Sequence, residues 1–234
     1  MRQAKRASNN RLLAGLPRKS YQHVLAECEP VELASADVLW EPGANIGYVY
    51  FPSESFIALV SPIEGDCGLA VGMVGNEGMV GIPIMLGSDT SSLFALVQGG
   101  GSALRMTAAT FRRELAAIPL FQEQLNRYLY VFTVQLARTT ACVRYHFLEA
   151  RLARWLLMMR DRAHGKAFRA THDVLAYMLG VRRVGVTKAA NSLQKRELIS
   201  YTRGDVTVVD RGGLEAVSCR CYCADTETYD RVLG

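Results

Sequence analysis

The segment from residue 171 to residue 211 constrains the fold more than any other part of the sequence. Thr171 can cap a first short helix, and Gly180 permits the positive φ that ends it. A second helix is expected over residues 184–193, with its apolar residues spaced to form one buried side. Two short alternating stretches follow, separated by the turn-forming pair Gly204–Asp205. This order of helix, glycine turn, helix and hairpin predicts a winged helix-turn-helix.

Positive charge is concentrated around this segment. Residues 144–211 contain 14 Lys or Arg and 6 Asp or Glu, a net charge of +8, whereas the whole chain carries +5. Such a segment is suited to neutralising the phosphates of double-stranded DNA, although a solvated basic face would have the same composition. The candidate DNA-binding residues are Thr171, Arg182, Arg183, Thr187, Lys188, Asn191, Lys195 and Arg203. Arg and Asn can read guanine and adenine edges, and Lys195 suits a phosphate contact.

The first half of the chain has a different pattern of apolar and turn-forming residues. Between Pro30 and Met106, five short apolar runs alternate with clusters of Gly, Pro, Asn, Asp and Ser. Strands at this spacing predict a small β-barrel or β-sandwich. We therefore expect an α+β protein with an N-terminal β-barrel of the jelly-roll kind, a long dimerisation helix and the winged helix-turn-helix.

Thr107 can cap a helix over 108–117, and a longer periodic segment begins at Pro119. Its apolar positions repeat at spacings of 4 and 3, a heptad seam that can pair two helices: Leu125, Leu129, Phe132, Leu136, Thr139 and Val143. Packing of the same seam on the chain's own barrel is the alternative. We favour a homodimer because the opposite flank is also fairly apolar.

These elements predict four parts: a barrel domain over 1–118, a dimerisation helix and hinge over 119–146, the winged helix over 147–211, and a cysteine-containing tail over 212–234. The basic, polar N-terminus precedes no apolar signal core, and the chain lacks a long apolar run. We expect a cytoplasmic protein without a membrane partner. Because the sequence lacks the common nucleophile, zinc-protease and phosphate-loop motifs, we do not expect an enzyme.

The tail contains Cys219, Cys221 and Cys223 in alternating positions. On a strand, this spacing would place the three thiols on one face, where they could bind a soft metal or respond to oxidation. A fourth ligand is not evident from the sequence, so incidental cysteines are the favoured interpretation.

From about Asn10 to Asp210 the chain resembles the Crp/Fnr family of bacterial transcription regulators. The resemblance rests on the order of parts, on Leu179–Gly180–Val181–Arg182–Arg183, and on the glycine motif over 74–81. It implies a cyclic-nucleotide-binding-like barrel and a homodimer on a two-fold symmetric operator, with RNA polymerase as a candidate partner. The residues that match the family's effector pocket are Glu77, Ser91, Ser92 and Leu136.

The same resemblance argues against cyclic AMP. Ser91 stands where cyclic-AMP-binding members have the arginine that holds the phosphate, which removes the strongest charge-assisted contact. Leu136 and Ala137 stand where such members offer hydroxyls to adenine. No cofactor is therefore expected, and another effector is left open.

Iron–sulfur members have a cluster of N-terminal cysteines, whereas this half of the chain has only Cys28 and Cys67. Haem is not expected because His23, His146, His164 and His172 all lie outside the predicted barrel. On the recognition helix, Arg183 and Lys188 match the family's basic positions. Val184 replaces a glutamate that accepts a hydrogen bond from cytosine, so the usual operator is not expected.

Overall fold

A computed structural model describes residues 10–64, 67–163, 165 and 167–234. The basic segment before Asn10 and His164 lie outside the described residues. Two short helices, α1 (Arg11–Ala14) and α2 (Arg18–Ala26), open the chain on either side of Pro17. The side chain of Asn10 caps α1 by accepting a hydrogen bond from the backbone N–H of Leu13.

Seven strands then form the β-domain, which we define as residues 29–107. They are β1 (Glu29–Leu33), β2 (Val38–Trp40), β3 (Tyr48–Pro52), β4 (Phe56–Ile63), β5 (Cys67–Val74), β6 (Phe94–Gly99) and β7 (Gly101–Thr107). A short helix, α3 (Ile82–Met85), lies between β5 and β6. The strands pair in antiparallel fashion as two sheets, in the orders β1-β7-β3 and β2-β6-β4-β5.

The two sheets enclose one apolar core. Its buried side chains come from both sheets, for example Phe51 on β3, Ile57 on β4, Val97 on β6 and Met106 on β7. The predicted jelly-roll type of architecture is confirmed, although among the described residues the strands form two separate sheets. The five predicted apolar runs are all strands.

The edge strand β1 escaped prediction because its sequence, Glu29–Leu33, has little apolar character and contains Pro30. Proline cannot donate a ladder hydrogen bond, which fits an edge position.

Helix α4 (Ala108–Ala117) is capped by Thr107, whose hydroxyl accepts from the N–H of Thr110. Helix α5 (Pro119–Tyr145) follows, with proline in its first turn. Half of the predicted heptad seam packs inside the chain itself: Leu125, Phe132 and Thr139 are buried. The interpretation of the full seam as a dimer contact is therefore wrong for these three positions. Their side chains are already covered within the chain and are not accessible to a second helix.

The predicted second flank also packs internally. Tyr128 and Val131 are buried, and the Tyr128 hydroxyl donates to the Met79 carbonyl oxygen. Ala137 is exposed. The side of α5 that stays accessible to a second helix is therefore the one that carries the exposed Thr133 and Thr140.

Helix α5 ends at Tyr145, two residues beyond the end expected near residue 143, and His146 is extended. Beyond this bend lie α6 (Leu148–Arg162), β8 (Ala167–Arg169), α7 (His172–Leu179), α8 (Arg183–Lys195), β9 (Ile199–Thr202) and β10 (Asp205–Val208). The three strands form a small antiparallel sheet in the order β8-β10-β9. The winged helix-turn-helix is therefore present with the predicted order of elements.

The tail is helical. Helix α9 (Arg211–Val217) is followed by α10 (Cys221–Leu233), which packs along α5 and also contacts α6. The alternating cysteines do not lie on a strand, because Cys221 begins α10.

A second core joins side chains of the winged helix to the outer face of β4 and β5, including Phe56 and Met73. None of the helices in the described part of the chain combines the length and apolar character that a membrane crossing requires.

Candidate nucleic-acid interface

The turn between α7 and α8 is built around Gly180. Its φ is +62°, in the left-handed region, and the Val181 N–H donates to the Ala176 carbonyl oxygen at 3.0 Å. A side chain at Gly180 would also meet Leu69 of β5 at 3.2 Å. Glycine is thus required twice, for the backbone angle and for the close approach of the β-domain.

Helix α8 has one buried and one exposed side. Its buried residues are Val186, Ala189, Ala190 and Leu193. The predicted contact residues Arg182, Arg183, Lys188, Asn191 and Lys195 are all exposed. Five of the eight predicted residues are therefore exposed on α8 and at its N-cap, and we call this set the basic face of α8.

The two threonines of the prediction are used internally. Thr171 caps α7 by accepting from the Val174 N–H at 3.3 Å. The Thr187 hydroxyl lies 3.0 Å from His172 Nδ1 and 3.1 Å from the Arg183 carbonyl oxygen. Both side chains are half-buried, so their hydrogen bonds orient the helices.

His172 is a structural link that the sequence argument missed. Its ring stacks on Tyr201 of the wing, with 4.5 Å between centroids, and the Tyr201 hydroxyl donates to the Ala170 carbonyl oxygen at 2.6 Å. Burial, followed by the charge of Arg183, lowers the pKa of His172. The imidazole is therefore neutral near pH 7, and it ties α7, α8 and the wing together.

Arg203 lies at the tip of the wing. It has a φ of +53° and is exposed, and it is followed by Gly204 with a φ of +91°. The left-handed angles turn β9 into β10 and project the guanidinium away from the sheet.

Much of the positive charge counted in the sequence is internally compensated. Arg154, Arg162 and Arg211 form ion pairs with Asp225, Glu77 and Asp161. On α8, Arg183 pairs with Asp173 at 3.4 Å, its one ion pair within the described part of the chain, and both side chains are about two-thirds exposed (66% and 68%). Surface pairs of this kind contribute little, so Arg183 is available to a ligand.

Val184 is 66% exposed on the first turn of α8, beside Arg183. Its isopropyl group is therefore accessible to a ligand of this helix.

The predicted effector residues do not gather in one place. Glu77 accepts from the Arg162 guanidinium at 2.5 and 2.9 Å and from the Gly75 N–H at 3.1 Å, which fastens the β-domain to α6. The Ser91 hydroxyl accepts from the Leu93 N–H at 3.0 Å, and Ser92 is exposed. Leu136 is partly buried against the first core.

Of these four residues, Glu77 alone lines a cavity of about 170 Å³ between the β-domain, α5, α6 and α10. The cavity wall mixes aromatic rings and charges, among them Tyr128, Phe132, Arg162 and Tyr229.

Two of the three cysteines singled out in the sequence, Cys219 and Cys221, belong to a cluster with other residues. Ligand atoms of Cys142, His146, Cys219 and Cys221 lie within 4.8 Å of one another, whereas Cys223 is exposed on α10. Cys142 and His146 come from the end of α5. The hydrogen bond between the Cys142 and Cys219 sulfurs, which are 3.4 Å apart, lowers the pKa of Cys142 and raises that of Cys219.

Residues 150–217 match the family model described as a Crp-like helix-turn-helix domain. Among solved structures, the c-di-GMP-responsive global regulator CLP of Xanthomonas campestris is 15% identical, with a TM-score of 0.67 over 82% of this chain and 99% of that chain. FixK2 of Bradyrhizobium japonicum is 11% identical, with a TM-score of 0.69 over 82% and 98%.

A Crp/Fnr-family regulator of Thermus thermophilus is 22% identical, with a TM-score of 0.66 over 81% and 98%. No curated protein sequence matches the chain. The molecule thus shares the fold of these structures, with a β-domain, a long helix and a winged helix that contains a Crp-like helix-turn-helix domain. Its resemblance to the Crp/Fnr family is confirmed by the Crp-like helix-turn-helix domain and by the shared fold.

Proposed function

We propose that the protein is a sequence-specific, double-stranded-DNA-binding transcription regulator that acts as a homodimer on a two-fold symmetric operator. The observation that carries this proposal is the basic face of α8, where five predicted contact residues are exposed together beside the wing. A recognition helix enters the major groove with such a face, and the wing tip meets the adjacent backbone. This function places the protein in the cytoplasm.

The contacts divide into two kinds. Arg183 and Asn191 have the donors and acceptors to read guanine and adenine edges, whereas Lys195 at the end of α8 and Arg203 at the wing tip suit phosphates. Val184, with its exposed isopropyl group, suits the methyl group of thymine. We infer an operator with a thymine where family operators offer a cytosine.

Dimerisation is supported by the face of α5 that the chain leaves uncovered. The half-buried Leu129, Leu136 and Val143 alternate with the exposed Thr133 and Thr140 at spacings of 4 and 3. This narrower seam retains three of the six residues predicted from the sequence. Pairing through it relates the two recognition helices by a two-fold axis, as required for half-sites about 34 Å apart.

The β-domain is proposed not to bind cyclic AMP. Ser91 offers no positive charge to a phosphodiester, and its hydroxyl already accepts a backbone hydrogen bond. The carboxylate of Glu77 is engaged by Arg162, so a nucleotide would have to displace a short, two-hydrogen-bond ion pair.

The test is selection of a binding site from random duplex DNA, followed by gel shifts at several salt concentrations. Wild-type affinity should fall steeply with salt, in proportion to the phosphates contacted. Arg183→Ala should weaken specific binding by about 1–3 kcal/mol and relax the preference at one base pair.

Lys19→Ala is the matched control, because it removes one exposed positive charge from α2, outside the winged helix. The proposal is wrong if wild-type protein selects no sequence, or if Arg183→Ala and Lys19→Ala behave alike. In the first case a dimeric scaffold that does not bind DNA becomes the better interpretation.

A further inference from the structure

The cluster at the junction of α5 and α10 combines three thiols and an imidazole. We propose that Cys142, His146, Cys219 and Cys221 form a tetrahedral site for a thiophilic divalent cation, with Zn²⁺ as the best match. This site is independent of the basic face of α8 and does not rest on the proposed function.

The distances suit a metal. The Cys142 and Cys219 sulfurs are 3.4 Å apart, and the Cys221 sulfur is 3.7 Å from His146 Nδ1. In a tetrahedral site with Zn–S of about 2.3 Å and Zn–N of about 2.1 Å, two sulfurs lie roughly 3.8 Å apart and sulfur lies roughly 3.6 Å from nitrogen. Both pairs need to shift by only a few tenths of an ångström.

The backbone already presents these donors in two pairs. Cys142 and His146 are four residues apart at the end of α5, where the His146 N–H donates to the Cys142 carbonyl oxygen at 3.1 Å. Cys219 and Cys221 flank the start of α10, where the Tyr222 N–H donates to the Cys219 carbonyl oxygen at 3.1 Å. Two ligands from each of two rigid elements is a common construction for structural zinc, and the α10 N-terminus favours a thiolate.

The surroundings balance the charge of a loaded site. Three thiolates, one neutral imidazole and Zn²⁺ carry a net charge of −1. The guanidinium groups of Arg151 and Arg154 are buried and interact electrostatically with Cys142 and Cys219. The Nε of Arg154 is buried and has no hydrogen-bond partner among the residues that the structure describes. An anionic metal–thiolate group is the kind of neighbour that would satisfy it.

A disulfide is the competing use of these thiols. The 3.4 Å contact would allow one between Cys142 and Cys219, but it would consume two of the four donors and leave Cys221 and His146 without a role. It also requires an oxidant, whereas metal binding needs none. The convergence of four donors, including an imidazole, favours the metal.

The experiment is metal analysis of protein purified anaerobically and reconstituted with Zn²⁺ or Co²⁺ under a competing chelator. We expect one ion per chain, and Co²⁺ should give the intense visible absorption of tetrahedral thiolate coordination. Cys142→Ser, Cys219→Ser, Cys221→Ser and His146→Ala should each abolish stoichiometric binding. Cys223→Ser is the matched control from the same C-x-C-x-C motif, and it should bind as the wild type does.

Alkylation of the wild type keeps the test valid if a variant fails to fold. Bound Zn²⁺ should protect Cys142, Cys219 and Cys221 from labelling, while the exposed Cys223 reacts. The proposal is overturned if the wild type binds less than one ion, if Cys223→Ser loses the ion equally, if Zn²⁺ protects no thiol, or if the anaerobic protein contains a Cys142–Cys219 disulfide.

Discussion

Asp225 is the residue whose loss should destabilise the C-terminal helix most. Its two carboxylate oxygens accept from Arg138 of α5 at 2.6 Å and from Arg154 of α6 at 2.7 Å. The side chains of Arg154 and Asp225 are 7% and 13% exposed. Asp225→Asn keeps the size and one acceptor oxygen but removes the charge that both guanidiniums face.

The expected cost follows from what is left behind. Breaking a buried ion pair costs about 3–5 kcal/mol, because the remaining charge stays desolvated without a partner. Here Arg138 is 24% exposed and can turn towards water, which reduces its share. Arg154 cannot do so without leaving the core. We therefore expect Asp225→Asn to lower the free energy of unfolding by about 3 kcal/mol, near the lower end of that range.

Urea unfolding at one fixed protein concentration measures this change, since the stability of the proposed dimer would depend on concentration. Glu227→Gln is the control, because it removes an exposed charge from the same helix. An Asp225→Asn variant no less stable than Glu227→Gln would refute the reasoning. A double-mutant cycle with Arg154→Met should show coupling, because the double variant retains only the Arg138 charge, which is 24% exposed and can turn towards water.

Two further predictions concern the β-domain and its neighbouring helices. Phe111→Ala should lower the free energy of unfolding by about 3–5 kcal/mol, because Phe111 is fully buried and packs edge-on against Phe121 at 5.8 Å. The control Leu86→Ala, at a side chain that is 63% exposed, should change it by less than about 0.5 kcal/mol. Thermal or urea unfolding separates these outcomes, and equal effects would contradict the packing argument. Burial, aided by the charge of Glu27, raises the pKa of Cys28 to about 12, so its thiol stays protonated at pH 8. Iodoacetamide should therefore label the exposed Cys67 well before Cys28, as peptide mass mapping would show; equal rates would count against that pKa.

The winged helix was predictable because its determinants are local. Thr171, Gly180 and Gly204 act through the backbone angles and caps of their immediate neighbours. The exposed side of α8 follows from helical period alone. Such features require no knowledge of the rest of the fold.

The seam on α5 was only half predictable, for a physical reason. A heptad pattern indicates that one side of a helix is covered, but it does not identify what covers it. Leu125 and Phe132 pack on the β-domain, while Leu129 and Leu136 lie at the edge of the uncovered face. The assignment depends on the sheet, whose position the helix sequence does not contain.

The cysteine cluster was harder to predict from the sequence than the seam on α5. Cys142 and Cys219 are separated by 77 residues, and they meet because α10 folds back along α5. The C-x-C-x-C motif drew attention to Cys223, which points elsewhere, while Cys142 and His146 lay inside a helix and its cap. Nor could the basic segment's net charge reveal that Arg154 and Arg162 are paired with Asp225 and Glu77.

Helix α10 is placed to relate the β-domain to the winged helix. Its Tyr229 hydroxyl donates to the Glu77 carbonyl oxygen at 3.1 Å, and its Asp225 joins α5 to α6. Since α6 packs directly on α8, a movement of α10 changes the support of the recognition helix. Packed elements of this kind respond by switching between discrete arrangements rather than by bending, because cores are close-packed. The contacts through Glu77, α10 and α6 therefore connect the β-domain continuously to α8.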